Sequence, residues 1–421
     1  MQQIYSFIIF CLGLTIRLAS FFNKKAASWV KGRKQYFTVL DKVFTSAPFN
    51  EPNRKLAWFH CASLGEFEQG RPIIEAFKQQ HPNYLLLLTF YSPSGYEVRQ
   101  GYAGADMILY LPLDTPSNVR RFVETVKPDI VFYVKYEFWF NFLSYLQSKR
   151  IPLVLVSAIF RPDQHFFKGY GEWPRKILQG LSCIFVQDDE SKELLQFIGI
   201  ENVIVSGDTR FDRVVAGAEH VAAIPIAREF AKGHKVLVAG STWPADEKLI
   251  FKLIAENKQK LRLIIAPHEI NHEHINLLMQ KSGGKAVQFS KTNAEEVKNA
   301  EILIIDSVGM LSQLYQYGDL AYIGGGFGVG IHNILEPAAF GLPVFLGPNY
   351  SKFKEAKDLV ELNGAFEIRK PDDLVNKVDE LLTDSNKLLQ TSIICKNFVA
   401  KGCGATQIVM QQVNILLESR I

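Results

Sequence analysis

From Lys55 to Leu346, short apolar runs alternate with segments of helical periodicity, a pattern that restricts the chain to parallel βαβ units. The runs Leu56–His60, Tyr84–Thr89, Met107–Leu111, Ile130–Val134, Leu153–Ser157, Cys183–Val186 and Val203–Ser206 read as one set of strands. A second set follows at Lys235–Ala239, Leu261–Ala266, Ala286–Phe289, Ile302–Ile305, Leu320–Ile323 and Pro343–Leu346. Residues 213–234 carry no strand signal and read as a connection. A chain of 421 residues exceeds the usual size of one core. The expectation is therefore α/β, with two Rossmann-like domains over 55–212 and 235–395 facing a cleft, and a closing helix over 396–421.

The N-terminus reads differently. Ile4–Ile16 is almost wholly apolar, Arg17 interrupts, Leu18–Phe22 resumes, and Lys24, Lys25, Lys31, Arg33 and Lys34 follow. A secretory signal carries its charges before the apolar run and ends in a small-residue cleavage site, and this segment does neither. Residues 1–34 are expected to be a retained membrane anchor with a basic flank, either crossing once or lying in the interface, with the body on the cytoplasmic side. A buried core helix is the alternative.

Hydrophobic residues make up 48% and charged residues 21%, which suits packed domains, and the net charge of +4 is small for a nucleic-acid binder. Nucleic acid is not expected as a partner; a membrane surface is. The five cysteines are scattered and form no CxxC pair, which argues against a disulfide framework or a thiolate zinc site and favours a reducing compartment.

Two motifs carry chemistry. The run from His60 to Glu66 follows a strand and enters a helix; Gly65 permits close backbone approach, Ser63 can offer donors to an anion, and Glu66 is a candidate general base. Ser63-x-x-Glu66 is also a capping box, which alone would explain both residues. A serine-hydrolase elbow would need a glycine where Cys61 stands. The second motif runs from Gly324 through Gly326, Gly328 and Gly330 to His332, Asn333 and Glu336, beyond a strand and opening a helix. Its amides can reach a phosphate, and Glu336 can accept from ribose hydroxyls. It has neither dinucleotide-fingerprint spacing nor a P-loop. His268-Glu269-x-x-His272 is formally a zinc-protease motif, with Glu295 or Glu296 as a conceivable third ligand; it follows directly on a strand and Pro267, which places His268 outside a helix.

Ser63–Glu66 and His332–Pro337, taken with Leu111–Asp114, Glu137–Asn141, Ser157 to Arg161, Gly207–Asp212, Gly240–Thr242 and Asp306–Gly309, resemble the Kdo (3-deoxy-D-manno-octulosonic acid) transferases over nearly the whole chain. The resemblance implies a GT-B-type fold and inverting transfer of Kdo from a CMP-Kdo donor to a lipid A precursor such as lipid IVA, at the cytoplasmic side of the inner membrane. It implies Glu66 as base and no metal cofactor. CMP contacts would fall on Ser241, Thr242, Pro267, His268, Val308, Gly309, Met310, Gly326, Asn333, Ile334, Leu335 and Glu336. Ser63, Gly65, Lys135, Glu137, Arg161 and Arg210 would serve the acceptor or the transition state. Family members carry Glu-x-Glu-x-Trp-Pro-Asn where this chain has Lys135, Glu137, Trp139, Phe140 and Asn141, and an arginine where it has Pro267. Two other functions share such an architecture: a nucleotide-sugar epimerase, against which the apolar N-terminus argues, and a non-catalytic membrane-bound nucleotide-sugar sensor.

Overall fold

The computed structural model describes residues 1–135, 138–256 and 261–418. The chain divides into two compact units, Met1–Asp212 with the segment from Gly404, and Arg213–Cys403.

In the first unit, β1 (Lys55–Cys61), β2 (Tyr84–Phe90), β3 (Met107–Tyr110), β4 (Ile130–Val134), β5 (Leu153–Ala158), β6 (Cys183–Val186) and β7 (Val203–Val205) form a seven-stranded sheet in the order β3-β2-β1-β4-β5-β6-β7. Each pairing is parallel. Helices cover both faces, so alternate residues enter two cores: Leu56 and Trp58 on one side, Ala57 and Phe59 on the other. Aromatic rings fill both, with Phe59 stacked on Phe132 at 4.3 Å and Trp58 tilted against Phe122 at 4.9 Å. Val409, Met410 and Val413 of the helix Ala405–Glu418 complete the second core. Asp212 fixes the start of that helix by accepting from the amides of Gly404 and Thr406 at 2.6 and 2.7 Å. The single closing helix expected over 396–421 is thus two, Ser385–Gly402 and Ala405–Glu418, because Gly404 turns the chain with φ 109°.

The second unit holds β8 (Val236–Thr242), β9 (Arg262–Pro267), β10 (Ala286–Gln288), β11 (Ile302–Ile304), β12 (Leu320–Ile323), β13 (Val344–Leu346) and β14 (Ala365–Glu367) in the parallel order β10-β11-β9-β8-β12-β13-β14. Residues 213–234, expected as a connection, contain most of the helix Thr209–Glu219 and the helix Pro225–Ala231. In both sheets the strand order switches sides beside the first strand, between β1 and β4 and between β8 and β12. Those switch points leave a crevice at the carboxyl ends of the strands, where open α/β sheets take ligands.

The apolar N-terminus is a helix, Gln2–Ala19, long and apolar enough to cross a membrane. It is pinned to the first unit along its length. Tyr5 Oη donates to Asp114 at 2.7 Å, Ser6 Oγ to Asn141 at 3.2 Å, and Gly13 packs so closely on Leu113 that a Cβ would lie 2.5 Å from it. Ile4, Phe7, Ile8, Phe10, Leu14 and Leu18 remain exposed, so the helix is not a buried core element. Burial raises the Asp114 carboxyl to about 7 although Tyr5 Oη and the amides of Asn141 and Phe142 donate to it.

Candidate active site

In the first unit the rim begins where β1 ends. Ser63 caps the helix Leu64–Gln80 and its hydroxyl accepts from the Glu66 amide at 3.5 Å, while Glu66 Oε2 accepts from the amides of Ala62 and Ser63 at 2.5 and 3.2 Å. The capping box is therefore formed. It also fixes a half-buried carboxylate at the switch point, beside the exposed Gly65. Beneath it lies His60, fully buried. Trp139 Nε1 donates to His60 Nε2 at 3.2 Å, which leaves Nδ1 to donate to Thr89 Oγ1 at 2.9 Å; that hydroxyl also accepts from Trp58.

Lys135 follows β4 with φ 69°, and Ser157 sits in β5 with φ 55°. Non-glycine residues in the left-handed region cost about 1–3 kcal/mol each and persist where surrounding contacts impose them. Ser157 Oγ meets Thr209 Oγ1 at 3.1 Å, and Thr209 donates to the Gln69 carbonyl at 2.5 Å, tying the β5 rim to the Glu66 helix. Arg210 clamps Asp208 through Nε at 2.8 Å and a second nitrogen at 2.6 Å. Arg161 is exposed on the loop after β5, and its guanidinium makes no hydrogen bond among the described residues. Glu137 lies outside the described residues.

In the second unit the rim is built from backbone. Gly324 leaves β12 so close to β8 that a Cβ would stand 2.2 Å from the Ser241 carbonyl, and one on Gly326 would stand 2.5 Å from the Gly347 amide. Gly325 has φ 92°, Gly309 φ 86° and Ser241 φ 52°. Behind them is Asp246, buried at the start of the helix Pro244–Glu256, a residue that sequence reasoning missed although acidic residues in a first helical turn are a readable signal. It accepts from the amides of Trp243 and Gly325 and from Tyr322 Oη, each at 2.9 Å, and so holds the glycine loop open. Thr242 Oγ1 reaches the buried Glu247, which in turn meets His274 Nε2 at 2.7 Å.

His268 stacks on Trp243 at 4.5 Å and lies 4.7 Å from His332. Burial, and then the nearby His268, shift the His332 imidazole below its ordinary value, partly offset by Asp246. Trp243 Nε1 and His332 Nε2 are both buried without a hydrogen-bond partner among the described residues, one a donor and one able to accept or donate. Groups left in that state at a rim are suited to a polar ligand. Asn333 Nδ2 donates to Glu336 at 3.1 Å and Asn333 Oδ1 accepts from the Leu335 amide. Ile334 and Leu335 are buried core residues. The helix that the glycine run opens is only Leu335–Ala339, so Glu336 stands in its first turn and the dipole adds little; the amides of the loop matter more. Val308, exposed, and Gly309 lead to Met310 and the short helix Leu311–Leu314, whose Leu311 lies against Gly240.

The formal zinc motif takes another shape. Pro267 ends β9, His268 stacks on Trp243, and His272 begins the next helix with Nδ1 at 3.0 Å from Asn276, so the two imidazoles share no helix face. Among the described residues no three His, Cys, Asp or Glu side chains converge to hold a metal.

Comparison with known proteins decides what this pair of rims belongs to. Residues 34–213 match the family described as 3-Deoxy-D-manno-octulosonic-acid transferase (kdotransferase). The 3-deoxy-D-manno-octulosonic acid transferase of Aquifex aeolicus is 31% identical over 375 residues, covering 87% of this chain and 96% of that protein. The chain belongs to the Kdo transferase family. The Haemophilus influenzae Kdo transferase is 27% identical and covers 78% of this chain and 79% of its own length. As a Kdo transferase the chain is a glycosyltransferase of lipopolysaccharide synthesis, and its fold is GT-B-type. The UDP-GlcNAc 2-epimerase of Neisseria meningitidis, solved with UDP-GlcNAc, superposes with a TM-score of 0.61 over 85% of this chain and 98% of its own, at 15% identity; that likeness is one of fold. The epimerase reading is accordingly not favoured.

Proposed function

We propose that this Kdo transferase moves Kdo from CMP-Kdo to a lipid A precursor of the lipid IVA kind, with inversion and without a metal, at the cytoplasmic face of the inner membrane. The observation that carries the donor assignment is the backbone cradle at the β8/β12 switch point, where Asp246 holds Gly325 and two buried ring nitrogens stand unpaired among the described residues. A monophosphate ester needs only a few aimed donors, which a glycine loop supplies. Glu336 would take the ribose hydroxyls, and His268, sandwiched with Trp243, would stand beside the nucleotide.

Glu66 would be the base. Its carboxylate is positioned by two backbone donors to one oxygen, and capping is thus the means of holding it, compatible with proton abstraction from the lipid hydroxyl. The anomeric carbon would pass through an oxocarbenium-like state. Lys135, Arg161 and Arg210 would meet acceptor phosphate or the sugar carboxylate. Because the helix Gln2–Ala19 is pinned at Tyr5, Ser6 and Gly13, crossing the bilayer would break those contacts. We assign it to the interface plane, apolar face into the lipid.

Labelled CMP-Kdo incubated with a lipid IVA acceptor tests the reading. The expected product is labelled lipid, formed equally after exhaustive chelation. An altered free sugar without labelled lipid, or activity lost with the metal, would contradict it.

A further inference from the structure

Between the N-terminal helices and the first unit lies a cavity of about 510 Å³ that no step of the transfer uses. Arg17, Lys31, Arg33, Lys34 and Arg121 line it together with Asn118, and no Asp or Glu is among its lining residues. Arg121 is paired with Asp41 at 2.7 Å, whereas Arg17, Lys31 and Lys34 are exposed and make no ion pair among the described residues. Arg33 is spent differently: it lies over the Trp29 ring at 3.9 Å and donates to the carbonyls of Leu111 and Tyr91 at 2.9 and 2.8 Å, with no carboxylate paired to it among the described residues. A buried cation without a counter-charge favours an anion nearby.

A second observation is independent of charge. Trp29 and Tyr36 line the same cavity, each is 8% exposed, and Trp29 Nε1 and Tyr36 Oη are buried without a hydrogen-bond partner among the described residues. Unpaired buried donors are costly, and an anion with several acceptor oxygens would satisfy them. The cavity also takes in Gly13 and Arg17 of the helix that leaves Phe7, Phe10 and Leu14 exposed. A ligand here would be at the depth of lipid headgroups.

We propose that this cavity binds the phosphate of an anionic bilayer phospholipid, making the anchor a headgroup-specific site in addition to an apolar surface. The proposal rests on the membrane-surface reading above.

The test is thermal melting of the full chain with dihexanoyl phosphatidylglycerol below its micelle concentration, and with inorganic phosphate at matched ionic strength. The lipid should raise Tm and phosphate should not. Combined Trp29→Phe and Tyr36→Phe should weaken the lipid effect about tenfold in apparent Kd, the loss expected for hydrogen bonds to a charged group, with the lipid-free Tm unchanged or raised. Lys31→Gln with Lys34→Gln should weaken it similarly. Lys24→Gln with Lys25→Gln, which removes equal charge from residues outside the cavity, should not. No Tm rise with lipid, an equal rise with phosphate, or equal losses from both lysine pairs would overturn the site. A raised KM for the acceptor in detergent, confined to the cavity variants, would overturn it in favour of the acceptor's own phosphate. Turnover in that detergent assay reports separately whether the transfer reading itself stands.

Discussion

The two α/β units begin from the same parallel strands and finish with different rims. At the β1/β4 switch point the first unit presents side chains: a capped Glu66, Lys135 forced to φ 69°, and the Arg210–Asp208 clamp. At the β8/β12 switch point the second presents backbone, with glycines that no Cβ could replace and a buried Asp246 holding them. Their cores differ as well, the first mixing many aromatic rings with its aliphatic side chains and the second holding few rings, Tyr322 and Phe345 among them. The same topology can thus be finished for proton transfer and charge recognition, or for cradling a phosphate, according to which residues follow the switch-point strands.

That contrast breaks most visibly at Glu66. Glu66→Gln keeps the shape and the capping, since the amide oxygen still accepts from Ala62 and Ser63, but it cannot take a proton. Turnover at saturating acceptor should fall by at least ~10²-fold with an unchanged melting temperature. A variant at half the parental rate would reduce Glu66 to a cap. On the other rim, Glu336→Ala should act on binding: the donor KM should rise by roughly 10- to 100-fold, matching ~1.5–3 kcal/mol for charge-assisted bonds, with acceptor KM unaltered. A parental donor KM would move the ribose elsewhere.

The smallest effect concerns the anchor contact. Folded Asp114 keeps its proton to about pH 7, whereas an unfolded Asp releases it near 3.8. The folded protein binds more protons between those values, so this residue's stability contribution falls as pH rises through that window and is level above it. Asp114→Asn should flatten that part of the Tm–pH curve between pH 4 and 7. An unchanged slope would place the titration on another group.

Much of the fold was legible, because fully buried parallel strands are continuous apolar runs and helices between them repeat at 3.6 residues. Ala365–Glu367 escaped as a strand: three residues ending in Glu carry no period. The place of β11 between β9 and β10 is a matter of tertiary packing that no local pattern encodes. At the site, the glycine run and Ser63–Glu66 stood out because glycine spacing and caps are local signals. Asp246 did not, since its partners Gly325 and Tyr322 come from a distant strand and loop. Arg33 read as one more basic residue in a flank, and only the fold sets it against Trp29 beneath the Leu111 and Tyr91 carbonyls.

The division of labour between the rims is tested most directly by calorimetric titration of CMP into the Glu66→Gln protein whose turnover has already been measured. The account predicts a Kd within about twofold of the parent beside a turnover lower by ~10²-fold, since the base and the nucleotide cradle belong to different units. A Kd that weakens in parallel with turnover would contradict it, by making Glu66 part of nucleotide binding.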